Sequence, residues 1–289
     1  MHFHLESAEI FVPDGLAIED ALARTTHLAI GAHQDDLEIM AFDGIQKCFQ
    51  REDRWFCGVV VTDGRGSPRD ALYKHYTDEA MWAVRRTEQK KAAIVGEYGA
   101  LVLLDYPSKA VIDGRNQAPV EDLTRLLKAT RPDEVYTHNL ADRHDTHVAV
   151  ALRVIQAARL LPAEERPPQL LGCEVWGGLD WLVGSDKVSL DVSAQENLQA
   201  ALLGVFDSQI SGGKRYDLAT MGRRRANATY FASHDVDVAT GLTFAMDLTP
   251  LIQHPEYDIE AYVQEFVLRF ARDISARIRR ALPPSGLTD

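Results

Sequence analysis

Cysteine is scarce in this sequence, and the three present, Cys48, Cys57 and Cys173, are scattered with no CxxC spacing. An odd, unpaired set argues against a disulfide framework or a thiolate metal site and is expected to be buried free thiol. Positive charge is in deficit: 31 Lys and Arg stand against 43 Asp and Glu, for a net charge of −12. That balance argues against broad binding to nucleic acid or anionic membrane, although it leaves room for a local basic pocket. No apolar run is long enough to cross a bilayer. The opening MHFHLESAEIFVPDG has early acids and a proline and glycine break where a secretory signal would have an apolar core. Together these absences predict a soluble cytoplasmic protein with no membrane or nucleic-acid partner. His2 and His4 are expected on a mobile N-terminal tail. No internal repeat and no low-complexity break divides the 289 residues, and 46% of them are hydrophobic. A single domain over residues 1–289 is therefore expected, with a core at about 25–178 and a C-terminal subregion at about 179–289.

What is present is an alternation of short apolar strands and helical stretches. THLAIGA (26–32) reads as a buried strand, followed by helical spacing over 37–51. A second strand, 55–62, ends at Asp63-Gly64. A long helix over 79–98 closes at Gly99, and strands follow at 101–104 and 134–137, separated by a helix over 120–130. A helix from about 145 to 161 leads through a Pro-rich loop to a strand at 171–176. Strands alternating with helices imply a parallel sheet with right-handed crossovers, a Rossmann-like three-layer α/β sandwich. No GxGxxG follows the first strand, which disfavours a dinucleotide enzyme. Beyond residue 178 the pattern gives strands at 188–192 and 242–247 and helices at 194–206 and 216–232. These are expected to complete the sheet and wall the active site. A last amphipathic helix, 259–282, should pack on the outside or against another subunit.

Two polar clusters fall just after strands, where open α/β sheets bind ligands. The first is His33-Gln34-Asp35-Asp36-Leu37-Glu38 and the second is Asp142-Arg143-His144-Asp145-Thr146-His147. His33 and Asp36 are three apart, so a turn entering a helix would aim them at one point; His144 and His147 repeat that spacing. A catalytic zinc needs about three N or O ligands and one open position. One histidine of the second cluster would complete a two-His, one-carboxylate set and leave the other to handle protons. Asp35, beside a ligand, is placed to take a proton from water. The plainer alternative for Asp35-Asp36 is a helix N-cap.

AHQDDLE (32–38) resembles the AHPDDxE signature of the PIG-L/LmbE-like N-acetylglucosaminyl deacetylases, and HNLADRHDTHVAV (138–150) resembles their second signature. TDG (62–64) and RRTEQKKAAIVG (85–96) match family features in the expected order. FDSQI (206–210) and ATYFASH (228–234) are similar to the later part of the deacetylases of bacillithiol synthesis. The resemblance implies zinc held by His33, Asp36 and His147, with Asp35 as general base. It makes His144 the imidazolium that steadies the tetrahedral intermediate and protonates the leaving amine. Arg85 takes the place of a substrate-contacting arginine, with Arg86 beside it as the other register. His234 is the candidate for a second oxyanion donor, with Tyr230 and Arg223 to Arg225 as rivals for the pocket wall. Gln34 stands where the family has proline, and Thr146 where it has an aspartate that could orient a histidine. The implied activity is removal of an acetyl group from an N-acetylglucosamine-type sugar by a homo-oligomer, trimer or hexamer. An amidase acting on a thiol conjugate or another N-acylated natural product, and a catalytically silent sugar-binding relative, are the alternatives.

Overall fold

Strands that are apolar on both faces must lie between two helical layers, and the strands His27–Gly31, Phe56–Thr62 and Ala100–Tyr106 are buried along their whole length. A computed structural model describes residues 1–232 and 234–283; Ser233, inside ATYFASH, and the chain beyond 283 lie outside it. The chain begins with β1 (Glu9–Phe11), α1 (Ile18–Ala23), β2 (His27–Gly31), α2 (Asp36–Met40), α3 (Phe42–Cys48) and β3 (Phe56–Thr62). Then come α4 (Asp78–Val95), β4 (Ala100–Tyr106), α5 (Ser108–Ile112), α6 (Ala118–Thr130), β5 (Glu134–His138), α7 (Asp145–Arg159) and β6 (Gln169–Cys173). The remainder forms β7 (Val188–Asp191), α8 (Glu196–Gly204), α9 (Asp207–Ile210), α10 (Tyr216–Tyr230), β8 (Leu242–Asp247), α11 (Thr249–Gln253) and α12 (Ile259–Ala281).

All eight strands join one sheet in the order β1-β4-β3-β2-β5-β6-β8-β7. The five central strands run parallel, whereas β1, β8 and β7 attach antiparallel. The alternation of side chains along each strand supplies both cores. Leu28, Ile30, Val59 and Val102 meet α6 and α7 residues such as Leu123 and Val154 on one face. Ala29, Val60, Leu101 and Tyr136 meet Leu37, Ile45 and Ala92 on the other. The order reverses between β2 and β5, so the loops leaving their carboxyl ends diverge and open a crevice. Both polar clusters leave the sheet at that point.

Three expectations are corrected. The N-terminal segment is tied down: β1 pairs with β4, the His4 N–H donates to Asp122, and the His4 ring meets Glu121 at 2.8 Å. The helical stretch expected over 37–51 divides at Ala41, whose φ of −114° and ψ of 23° end α2 and start α3. The Asp35 side chain makes no capping bond at α2, so the N-cap alternative for it is not realised.

Candidate metal centre and active site

The turn from β2 into α2 is built from below by buried polar contacts. The Thr62 hydroxyl and N–H both donate to the Ala32 carbonyl, at 2.7 and 2.9 Å. Gln34 lies buried and donates to the Thr62 carbonyl at 3.2 Å. Gly64 has φ +65°, and a Cβ there would sit 2.1 Å from the Gln34 side-chain oxygen. Glycine is therefore required at that position for both conformation and space. Thus the turn, although it lacks the family's proline, is held by Gln34 wedged beneath the next loop. Asp35 has φ 92°, a left-handed conformation that costs a non-glycine residue about 1–3 kcal/mol. The Asp35 N–H donates to Gln89 at 3.2 Å, and Arg85 donates to the Gln34 carbonyl. These bonds hold the strained turn in place.

His33, Asp35, Asp36, Arg85, His144 and His147 line one cleft of about 350 Å³. His33 Nδ1 is 3.3 Å from His147 Nε2 and 3.3 Å from Asp36 Oδ2, and the latter two atoms are 3.6 Å apart. Donors bound to zinc at about 2.0–2.1 Å in a tetrahedron stand roughly 3.3–3.4 Å from one another. The spacing of the three atoms thus fits three corners of such a site. Asp142 Oδ2 lies 3.1 Å from His147 Nδ1, so a carboxylate steadies the ligand ring from behind. His138, Asp142 and His147 form a second group of possible ligands. Neither His138 nor Asp142 lines the cleft, and His138 Nε2 already accepts the Ala32 N–H at 2.8 Å. The first group is the better metal centre.

Electrostatics separate the adjacent aspartates. Burial holds the Asp35 carboxyl well above the usual carboxylate range; Arg85, 3.6 Å away, opposes this, while Asp36 and Glu38 add to it. Burial acts the same way on Asp36, but His147 and His138 outweigh it and hold that carboxyl well below its ordinary value. The His147 pKa is raised, because Asp36 and Asp142 overcome its burial. His144 is lowered by burial and by the neighbouring His147 and His33. Its Nδ1 accepts the Thr146 N–H at 3.3 Å as the N-cap of α7, which leaves Nε2 available. Behind the turn, burial pushes Glu38 up to about 7 while Tyr98 and Gln89 donate to it, each at 2.7 Å.

Residues 28–158 match the family model PIG-L, GlcNAc-PI de-N-acetylase. The chain carries a PIG-L family domain. An uncharacterized deacetylase of Escherichia coli (strain K12), YaiS, is 27% identical to this chain over 168 residues, 56% of this chain and 80% of the relative. Among solved structures, the N,N'-diacetylchitobiose deacetylase of Pyrococcus horikoshii aligns with a TM-score of 0.55 and 18% identity, over 76% of this chain and 83% of that one. A 4-carboxy-2-hydroxymuconate hydratase of Pseudomonas putida KT2440 aligns with a TM-score of 0.58 and 15% identity, over 76% and 95%. At these identities the structural likenesses establish the fold alone.

Within the PIG-L domain the two arginine registers separate. Arg85 is buried in the cleft wall, donating to Gln34 and to the Ser67 hydroxyl. Arg86 faces away, pairing with Glu9 at 2.6 Å and lying 4.8 Å over the Trp82 ring. Glu88, one turn further along α4, accepts bonds from the Ser208 N–H and hydroxyl rather than from Arg85. His234 is exposed beyond α10 and is not among the cleft's lining residues. The C-terminal half reaches the cleft instead through Lys214 and Tyr216. Sequence reasoning missed these two, along with Trp176 and the orienting Asp142. Asp142 carried one signal: it is a carboxylate in the second polar cluster, five residues before the expected ligand His147.

Proposed function

We propose that this chain is a zinc-dependent hydrolase, a single LmbE-like domain that removes the acetyl group from the nitrogen of an N-acetylglucosamine-type sugar or its glycoside. The observation that carries the reading is the near-tetrahedral spacing of His33, Asp36 and His147 beside Asp35 and His144 in one cleft. A zinc ion held there, one per chain, would supply a lowered pKa for water and polarisation of the amide carbonyl. Asp35, which lines the cleft beside the ligand Asp36, takes a proton as water oxygen bonds to the acyl carbon. His144 offers Nε2 to the sugar nitrogen. As imidazolium it would give its proton to the amine, so that the C–N bond breaks with the proton on nitrogen and acetate departs. Arg85 keeps Asp35 and the Gln34 carbonyl in register.

Acetate release from a panel of N-acetylated amino sugars, with and without zinc chelation, tests the reading. Turnover of N-acylated thiol conjugates alone would favour the amidase alternative, and binding without turnover a silent sugar-binding relative. The intact Asp35 and His144 favour the enzyme. Among the described residues no helix is long and apolar enough to cross a membrane, and Cys48, Cys57 and Cys173 are free and buried. Free thiols suit the cytoplasm, where we place the protein.

The expected homo-oligomer has support in α12. Its exposed Val267, Ile274 and Ile278 share one face of the helix, beside the buried Phe266. Glu260, Glu265 and Arg269 lie in its first half, and Arg272, Asp273, Arg277, Arg279 and Arg280 in its second. A second copy laid antiparallel would bring apolar stripes together and opposite charges into register. Of the expected trimer and hexamer, a two-fold contact of this kind would suit the hexamer. Sedimentation of Ile274→Lys against the parent chain tests it, with dissociation to smaller species as the expected result.

A further inference from the structure

The Asp35 carboxylate is aimed by its backbone. Among the described residues no group donates a hydrogen bond to either of its oxygens, and Arg85 comes only to 3.6 Å. Its direction therefore follows from the peptide plane joining Gln34 to Asp35, and two side chains of α4 grip that plane by both polar ends. Arg85 donates to the Gln34 carbonyl, and Gln89 Oε1 accepts the Asp35 N–H at 3.2 Å. The two stand four residues apart, on one face of the helix. The plane needs such a grip, because Asp35 is strained at φ 92° and ψ −27°. Turning the plane over would return Asp35 to a negative φ, ordinary helical territory at that ψ, and release the strain. It would also swing the Gln34 carbonyl toward Gln89.

A carboxamide could serve either plane. With its oxygen toward the turn it accepts the Asp35 N–H; with its NH2 there it would donate to the inverted carbonyl. Glu38 makes the choice. Gln89 is fully buried, and its Nε2 donates to Glu38 Oε1 at 2.7 Å. A reversed amide would set oxygen against carboxylate oxygen and leave both buried and unbonded, which is unfavourable. The neighbouring metal ligand is secured by other bonds. The His33 N–H donates to Asp36 Oδ2 at 2.7 Å, and the Asp36 N–H donates to the His33 carbonyl at 3.3 Å.

We propose that Gln89 is a positioning residue, which keeps the Gln34–Asp35 peptide from inverting and so holds the Asp35 carboxylate at the cleft for proton transfer. The proposal rests on the reading of Asp35 as the base. Gln89→Met keeps the length of the side chain and removes both bonds. In this variant kcat for acetate release from an N-acetylglucosamine glycoside should fall at least about tenfold, while KM and zinc affinity change by less than about threefold. In an Asp35→Asn background the same substitution should cost less than about twofold, because it acts through a group already removed. Arg86→Ala, on the same helix but facing away, is the control for lost stability without lost kcat.

Deuterium exchange of the Asp35 N–H, followed by NMR, reads the grip without any activity. That N–H should be protected in the parent chain and exchange at least about tenfold faster in Gln89→Met, with the Thr62 N–H unchanged. Parental kcat in Gln89→Met, an equal loss in both backgrounds, or an Asp35 N–H that exchanges in the parent chain as an open amide would overturn the proposal. The last result does so whether or not the variant folds. Parental turnover in Asp35→Asn would instead remove Asp35 as the base, and no acetate release from the parent chain would remove the deacetylase reading.

Discussion

Substituting Asp142 with asparagine removes one charge and changes no shape, and it isolates the support behind the metal centre. Asp142 uses both oxygens: Oδ1 accepts the His144 N–H at 2.9 Å, and Oδ2 lies 3.1 Å from His147 Nδ1. Asparagine can keep only one oxygen. If it keeps the bond to His144, its NH2 group faces His147 Nδ1. That contact favours the tautomer protonated on Nε2, the atom that belongs to the metal triangle. If it turns the other way, its NH2 meets the His144 N–H and a buried bond at the start of α7 is lost. Losing such an orienting partner typically weakens metal binding by about 10–100-fold, or roughly 1.4–2.7 kcal/mol. Zinc affinity measured by competition with a chromogenic chelator should fall by that factor, with one ion still bound at saturation. An unchanged affinity would refute the claim that Asp142 sets the His147 tautomer.

Other consequences follow from the same geometry. Asp35→Asn should retain zinc but lose turnover by about a hundredfold or more; near-normal acetate release with metal in place would remove Asp35 as the base. Arg85→Ala should depress kcat through the loosened Asp35 turn. Arg86→Ala, which loses Glu9 and the Trp82 ring, should instead lower Tm by roughly 2–6 °C at near-parental activity. The native chain should show no thiol reactive to a disulfide reagent, since burial pushes Cys48 and Cys57 up to about 12 and raises Cys173 as well; fast labelling of any of them would contradict the packing.

The parallel core was legible because its strands are short apolar runs bounded by turns, and β2 with AHQDDLE marked where the first ligands leave the sheet. The invisible parts depend on partners far along the chain. β1 is three residues long and gains its place only by pairing with Leu101–Leu103 of β4. His4 is held by Glu121 and Asp122, more than a hundred residues away. Adjacent arginines share the same composition and propensity, so only the direction of α4 separates Arg85 from Arg86. His234 was drawn into the site by motif order, but a loop's path over the surface is set by packing that no local pattern records. The role of Asp142 was not legible because it depends on the loop path: α7 begins only at Asp145, and the loop before it brings Asp142 to His147.

The central claim is that His33, Asp36 and His147 together hold one zinc ion. Metal content by mass spectrometry after equilibrium dialysis, for the parent chain, His33→Ala and His147→Ala, tests it most directly. The account predicts about one zinc per parent chain and a large loss in each variant, with the folded state verified by circular dichroism. A full equivalent of zinc persisting in both folded variants would contradict it.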